Sequence, residues 1–204
     1  TPSAPDNAVG GNFTEASAAA LVVMDRTDGS DPDIGHIFAA PTLDDADAQR
    51  AIQITRTNNQ RWAVILGNGY GSANGRPTLL IQYLDGAREL LKIPAAVTTS
   101  AKARLISNGL SAPQLLDVNS DGAPDFVYAG DLQGHLWKFD IAAASDQQWR
   151  VALQGAPLFT ATYSGKPQPI TAAPALRVHP DIGGLLVAFG TGADLSASDS
   201  ADAS

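Results

Sequence analysis

Apolar residues in this chain come in short runs of about four to seven positions, each closed by glycine, proline, asparagine or aspartate, the profile of many short strands and few helices. The first expected strand is Ala20 to Met24, followed by a polar loop at Asp28-Gly29-Ser30-Asp31-Pro32-Asp33. A short strand is expected at Ala51 to Thr55 within a polar stretch from Asp44 to Gln60. Arg61 to Tyr70 then runs into a glycine-bracketed turn, Thr78 to Leu84 follows, Asp85-Gly86 turns the chain and Glu89 to Ile93 returns it. Strands joined this way form a meander, the unit of a propeller blade.

After a polar crossing at Thr98 to Asn108 the pattern recurs: Ala112 to Leu116, a polar loop, Phe126 to Gly130, His135 to Asp140, and Trp149 to Leu153 as a fourth strand. A third instance begins at Pro174 to Val178 and continues through Gly184 to Gly192. The strand-ending glycines Gly67, Gly130 and Gly190 are 63 and 60 residues apart, an imperfect repeat longer than the ~40–45 residues of a tryptophan-aspartate blade. The pattern predicts an all-β fold of antiparallel meanders, the arc of a larger β-propeller. Residues 1–16 read as a linker or disordered arm, 17–195 as a partial propeller domain and 196–204 as a polar tail.

Composition changes this picture little. At 204 residues the chain is long enough for a substantial core. The formal net charge of -8 and the scattered basic residues argue against nucleic acid or an anionic membrane as partner. No apolar run is long enough to span a bilayer, and the opening Thr1-Pro2-Ser3-Ala4-Pro5 lacks the features of a signal peptide, so an excised or mature piece is expected. Cysteine is absent, which neither demands nor excludes an oxidising compartment.

The loop between the two strands of the second instance carries the clearest chemistry. In Asp117-Val118-Asn119-Ser120-Asp121-Gly122-Ala123-Pro124-Asp125, oxygen-bearing side chains recur at alternate positions around a glycine. Ca²⁺ takes about six to eight oxygen ligands, and a chain curling round it presents alternate residues inward. Asp117, Asn119, Asp121 and Asp125 hold those positions, and Ala123 can contribute only its backbone carbonyl. A plain hairpin turn accounts for Asp121-Gly122 but not for three mutually repelling carboxylates and an amide in alternation. A strand follows where a helix-flanked loop would supply a twelfth-position glutamate, so the ion is expected at the mouth of a β-hairpin. The acids of Asp28 to Asp33 are irregularly spaced and read as a plain solvated loop.

Three stretches carry a family resemblance: Gly109-Leu110-Ser111-Ala112-Pro113, the loop Asp117 to Asp125, and Tyr128 to Asp140. The turn Gly67-Asn68-Gly69-Tyr70-Gly71-Ser72, Ile170-Thr171 and Phe189-Gly190-Thr191-Gly192 agree with them. Together they resemble the PilC/PilY family of type IV pilus biogenesis factors and tip adhesins, over roughly Leu21 to Leu195. The resemblance implies a modified β-propeller in a large, secreted, surface-exposed protein at the pilus tip or outer membrane, with a single Ca²⁺ held by Asp117, Asn119, Asp121, the Ala123 carbonyl and Asp125. It also implies calcium-dependent support of pilus extension against retraction and of attachment to host or abiotic surfaces, with the remaining blades and minor pilins as partners. No Arg-Gly-Asp tripeptide occurs, so integrin attachment through that motif has no support.

Two other readings use the same strand grammar. A quinoprotein-like propeller enzyme needs a catalytic constellation, and His36, His135 and His179 fall in different repeats with no nucleophile set beside them. His135, in an apolar strand, reads as structural. An integrin-like or lectin-like module would carry a calcium loop in every blade, yet the corresponding stretches are Thr57-Asn58-Asn59-Gln60 and His179-Pro180-Asp181-Ile182-Gly183. Among the tryptophans, Trp137 is expected in the core and Trp149 at the surface.

Overall fold

The computed structural model describes residues 22, 24–25, 29–38, 43, 51–95 and 108–193. The expected strand at Ala20 to Met24, the linker, the polar tail and most of the Thr98 to Asn108 crossing lie largely or wholly outside them. Every regular element described is a strand or a short 3₁₀ turn, and among the described residues no helix is long and apolar enough to cross a membrane.

The first unit is a four-stranded antiparallel meander of β1 (Ile54–Arg56), β2 (Trp62–Gly67), β3 (Thr78–Tyr83) and β4 (Leu90–Pro94). The alternation of β2 buries Ala63, Ile65 and Gly67, whereas β3, central in its sheet, is buried along its whole length. The second unit contains β5 (Gln114–Leu116), β6 (Phe126–Gly130), β7 (His135–Asp140), β8 (Arg150–Val151) and β9 (Phe159–Thr160). A small hairpin of β10 (Thr162–Tyr163) and β11 (Lys166–Pro167) leads to the third unit, a hairpin of β12 (Ala175–Val178) and β13 (Leu185–Ala188).

The fourth strand expected at Trp149 to Leu153 shortens to β8, and β9, six residues beyond that stretch, fills the rest of the edge. β8 and β9 pair with opposite ends of the same strand, β7. Between them Leu153 and Gln154 adopt φ of 53° and 59°, left-handed backbone incompatible with a ladder, and Pro157 has no N–H to offer one.

One apolar core joins the first two units, combining Ala63, Ile65, Leu79, Ile81 and Tyr83 with Val127, Ala129, Trp137, Phe139 and Ile141. A second, smaller cluster of Leu136, Ala161 and Ile170 packs against Val187 and Phe189 of the third unit. Trp137 is fully buried, as its alternation predicts. Trp149 is not at the surface: it is buried, its Nε1 donating to the Ala143 carbonyl at 2.8 Å, because the 3₁₀ turn Asp146–Gln148 folds the indole back onto the core. Trp62 is the tryptophan that faces solvent.

The loop containing Asp31 and Asp33 also departs from expectation. Asp33 is buried, bound by Arg76 Nε at 2.9 Å, Asn74 Nδ2 at 2.7 Å and Lys92 Nζ at 3.0 Å, and Lys92 also reaches Asp31 at 2.9 Å. Distant cations on β4 and the β2–β3 connection turn a polar loop into an ion-pair cluster. The hydrogen bond from Arg76, opposed by burial and joined by those from Asn74 and Lys92, holds the Asp33 carboxyl well below the usual carboxylate range. Burial pushes Asp31 up, but the Lys92 hydrogen bond and the Asp33 amide more than offset it.

Candidate metal centre

β5 and β6 pair in antiparallel register from Gln114↔Tyr128 to Leu116↔Phe126, which leaves residues 117–125 as the loop closing the hairpin. The Asp125 N–H donates to the Leu116 carbonyl at 2.8 Å and the Ile141 N–H to the Asp125 carbonyl at 2.9 Å, so the loop's exit is fixed to both neighbouring strands. Inside the loop, side-chain oxygens accept from backbone amides in sequence. Asp117 takes Ser120 and Gly122, each at 2.7 Å; Asn119 Oδ1 takes Asp121 at 2.9 Å; Asp121 Oδ1 takes Ala123 at 2.9 Å; Asp125 Oδ2 takes Val118 at 2.9 Å. Asn119 Nδ2 donates to Asp121 Oδ2 at 3.1 Å. Gly122 has φ of 87°, a conformation that favours glycine, which accounts for its sixth position.

The four sequence-predicted side chains and Ala123 are thus brought into one wound loop, with Asp125 buried, Asp117 half-buried and Asp121 exposed. Among the described residues no Lys, Arg or His forms an ion pair with Asp117, Asp121 or Asp125. Nor do three acids, histidines or cysteines converge on one point, since each carboxylate is turned onto a loop amide. By donor chemistry the set fits a hard divalent cation: it holds only oxygen donors, carries uncompensated charge, and has no sulfur or imidazole within it.

Three residues escaped the sequence reading. Asn58, in the β1–β2 turn, sends Nδ2 across to the Pro124 carbonyl at 2.9 Å and the Ile141 carbonyl at 3.1 Å, while Asn59 Nδ2 reaches Tyr83 Oη at 2.7 Å. The first unit's turn therefore grips the exit of the second unit's acidic loop. Asn-Asn at a hairpin tip signals a turn, and nothing in its spacing names that partner. Asp131 is fully buried. Its Oδ1 accepts from the Gln133 and His135 amides, both at 2.9 Å, and its Oδ2 accepts from Asn108 Nδ2 at 3.0 Å and Trp137 Nε1 at 2.9 Å and pairs with His135 Nδ1 at 2.9 Å. His135 is structural, as its strand context predicts. The signal for Asp131 lay in the repeat: it follows Gly130 as the buried Asn68 follows Gly67.

Successive antiparallel meanders sharing an inter-sheet core, with one acidic hairpin loop, define an arc of β-propeller blades. Residues 46–204 match the family described as the PilY1 beta-propeller domain, and the chain belongs to that family. It is 40% identical over 179 residues to the type IV pilus biogenesis factor PilY1 of Pseudomonas aeruginosa strain PAO1, covering 79% of this chain and 14% of that protein. A PilY1 homolog of Xylella fastidiosa is 40% identical over 147 residues, covering 72% of this chain and 11% of the homolog. The crystal structure of the Pseudomonas aeruginosa PilY1 C-terminal domain superposes with a TM-score of 0.66 at 38% identity, covering 84% of this chain and 35% of that one. The chain thus spans about one-seventh of the PAO1 protein's length.

Proposed function

We propose that this chain is the calcium-binding propeller region of a type IV pilus biogenesis factor and tip adhesin, in which a loaded β5–β6 loop supports pilus extension against retraction and contributes to surface attachment. Asp117, Asn119, Asp121, the Ala123 carbonyl and Asp125 would hold the ion. The observation that carries the reading is the loop itself, with three carboxylates and an amide wound into nine residues and no basic side chain among the described residues to neutralise them. The relatives' names supply the pilus context, and they name biogenesis factors rather than enzymes.

When bound, Ca²⁺ would supply the positive charge that cancels the repulsion among the three acids. The remaining contributions belong to the chain. Asp125 joins the loop to β5 through its amide and to Val118 through its carboxylate, and Asn58 fastens Pro124 to the neighbouring unit. Order in the loop is therefore passed to two sheets. At the pilus tip such a rigid domain would meet minor pilins on one side and a host or abiotic surface on the other.

The test is calorimetric titration of the chelator-treated chain with Ca²⁺, with Mg²⁺ as control, beside Asp125→Ala. One-site binding that disappears in the variant and is not reproduced by Mg²⁺ is expected. Equally tight binding in the variant overturns the ligand assignment. In piliated cells, Asp125→Ala in the whole protein is expected to reduce surface pili, and disabling retraction to restore them; unchanged piliation removes the functional link.

A further inference from the structure

The bond from Asp31 to Pro32 is the one Asp-Pro peptide in the 204-residue chain, and it lies inside the Asp31–Asp33–Arg76–Lys92 ion-pair cluster. Such a bond is a tertiary amide whose nitrogen carries no hydrogen and leaves as a basic secondary amine. The aspartate's own carboxylate can close a five-membered ring on the carbonyl carbon, so nucleophile and labile bond belong to the same residue.

Three features of the fold prepare this bond. The Asp33 N–H donates to Asp31 Oδ1 at 3.0 Å, which folds the carboxylate forward over its own peptide group instead of out into solvent. The Ile34 N–H donates to the Asp31 carbonyl oxygen at 3.2 Å, where negative charge develops when that carbonyl is attacked. The Lys92 ammonium, on β4, lies 2.9 Å from Asp31 Oδ1 and 3.2 Å from Oδ2, and becomes an amine nucleophile on losing a proton. The chain beyond the bond is held by other groups: the Pro32 carbonyl accepts from the Asn74 N–H at 2.9 Å, and the Asp33 carbonyl from Asn68 Nδ2 at 2.6 Å.

We propose that this is a self-modification site, at which the Asp31–Pro32 peptide is exchanged for an amide between the Asp31 side chain and Lys92 Nζ. A carboxylate oxygen of Asp31 attacks its own carbonyl carbon, the bond to the Pro32 nitrogen breaks, and that nitrogen takes a proton from the Lys92 ammonium. The aspartyl group is then a cyclic anhydride and Lys92 a neutral amine. Nζ attacks Cγ, the ring opens to leave the α-carboxylate, and the second proton shed by Nζ passes to the Pro32 nitrogen. One amide is lost and one gained, and neither water nor oxidant is consumed. The charges at the end, one carboxylate and one prolyl ammonium, equal those at the start. Lys92 outruns water because it already touches the acyl group, and placement of this kind is worth effective molarities of about 10⁵–10⁸ M.

The product ties the chain ending at Asp31 to β4 by a covalent bond where an ion pair stood, and leaves Pro32 as a new N-terminus. Acid and salt loosen the ion pair but not the amide. The chemistry uses no atom of the β5–β6 loop and is independent of the calcium reading.

The test is peptide mapping by mass spectrometry of the purified 204-residue chain, incubated folded at neutral pH in chelator. The exchange leaves the intact mass unchanged. Its readout is a branched tryptic peptide joining residues 27–31 to residues 89–102, uncut after Lys92, together with a free N-terminus at Pro32. The branched peptide is expected to form about a hundredfold or more faster in the folded chain than in the chain unfolded in urea. Lys92→Arg keeps the positive charge but neither yields a proton nor attacks, and Pro32→Ala removes the labile leaving group; both are expected to abolish the branch. Circular dichroism checks that each variant is folded. An unmodified chain after prolonged incubation overturns the proposal. Separated fragments 1–31 and 32–204 also overturn it, because water then outruns Lys92. Equal branching in urea, or branching to other lysines, overturns it as well, since the folded geometry would then contribute nothing.

Discussion

The side-chain amide of Asn58 lies 2.9 Å from the carbonyl oxygen of Pro124, a bond across two sheets and 66 residues of sequence. Its second N–H reaches Ile141, so one asparagine holds both the exit of the acidic loop and the first residue past β7. Asn58→Ala leaves two carbonyls without that donor and is expected to lower the unfolding free energy by about 1–3 kcal/mol. Urea denaturation measures it, and a change within error would reduce the bond to an incidental contact. If the loop binds Ca²⁺, the variant should also bind it more weakly.

Asp125→Asn separates charge from local structure. The amide oxygen can still accept from Val118, so the unloaded variant should melt close to the parent, within about 1 kcal/mol. For the parent, Ca²⁺ at one hundred times its Kd should add about 2.7 kcal/mol of stability, and the Asn variant at the same concentration should gain much less. Thermal unfolding with and without Ca²⁺ reads both. Equal gains would show that the charge of Asp125 is not used.

Gly130→Ala forces a methyl against Ile170 and should destabilise by about 1–3 kcal/mol or more. Gly190→Ala meets open space and should stay within about 0.5 kcal/mol. Paired chemical denaturation curves compare them, and equal costs would remove the packing account of Gly130.

Asp131→Asn replaces an acceptor-only group with one that presents N–H to Asn108, His135 or Trp137 donors in a fully buried site. A loss of about 3 kcal/mol is expected, with a shift in tryptophan emission. Retained stability would mean that the neighbouring donors find other partners.

The Asp31–Asp33–Arg76–Lys92 cluster fixes a sign for acid stability. Both carboxyls are held below their usual values, so their contribution is present above the unfolded value of about 4 and is lost as pH falls from there toward the lower folded values. Asp33→Asn should flatten that part of the stability profile while lowering stability at neutral pH. An unchanged slope between about pH 4 and 2 would place the acid lability elsewhere.

Much of this protein was legible in its sequence because strand patterning and turn chemistry are local. Alternation and glycine punctuation place β2, β3, β6 and β7 within a residue or two, and the spacing of Asp117, Asn119, Asp121 and Asp125 alone brings four oxygen-bearing side chains into one loop. Those features depend on residues a few positions apart, whose geometry the backbone fixes whatever else is present. What the tertiary structure decided involves partners tens of residues away. Asn58 became a clamp, Trp149 a core residue and Asp33 a paired acid only when other sheets brought Pro124, Ala143 and Arg76 within reach. The same holds for Gly67 and Gly130, because space is a property of what is packed alongside. A chain can encode its turns by itself, but the burial and charge state of a side chain belong to the whole assembly of neighbours.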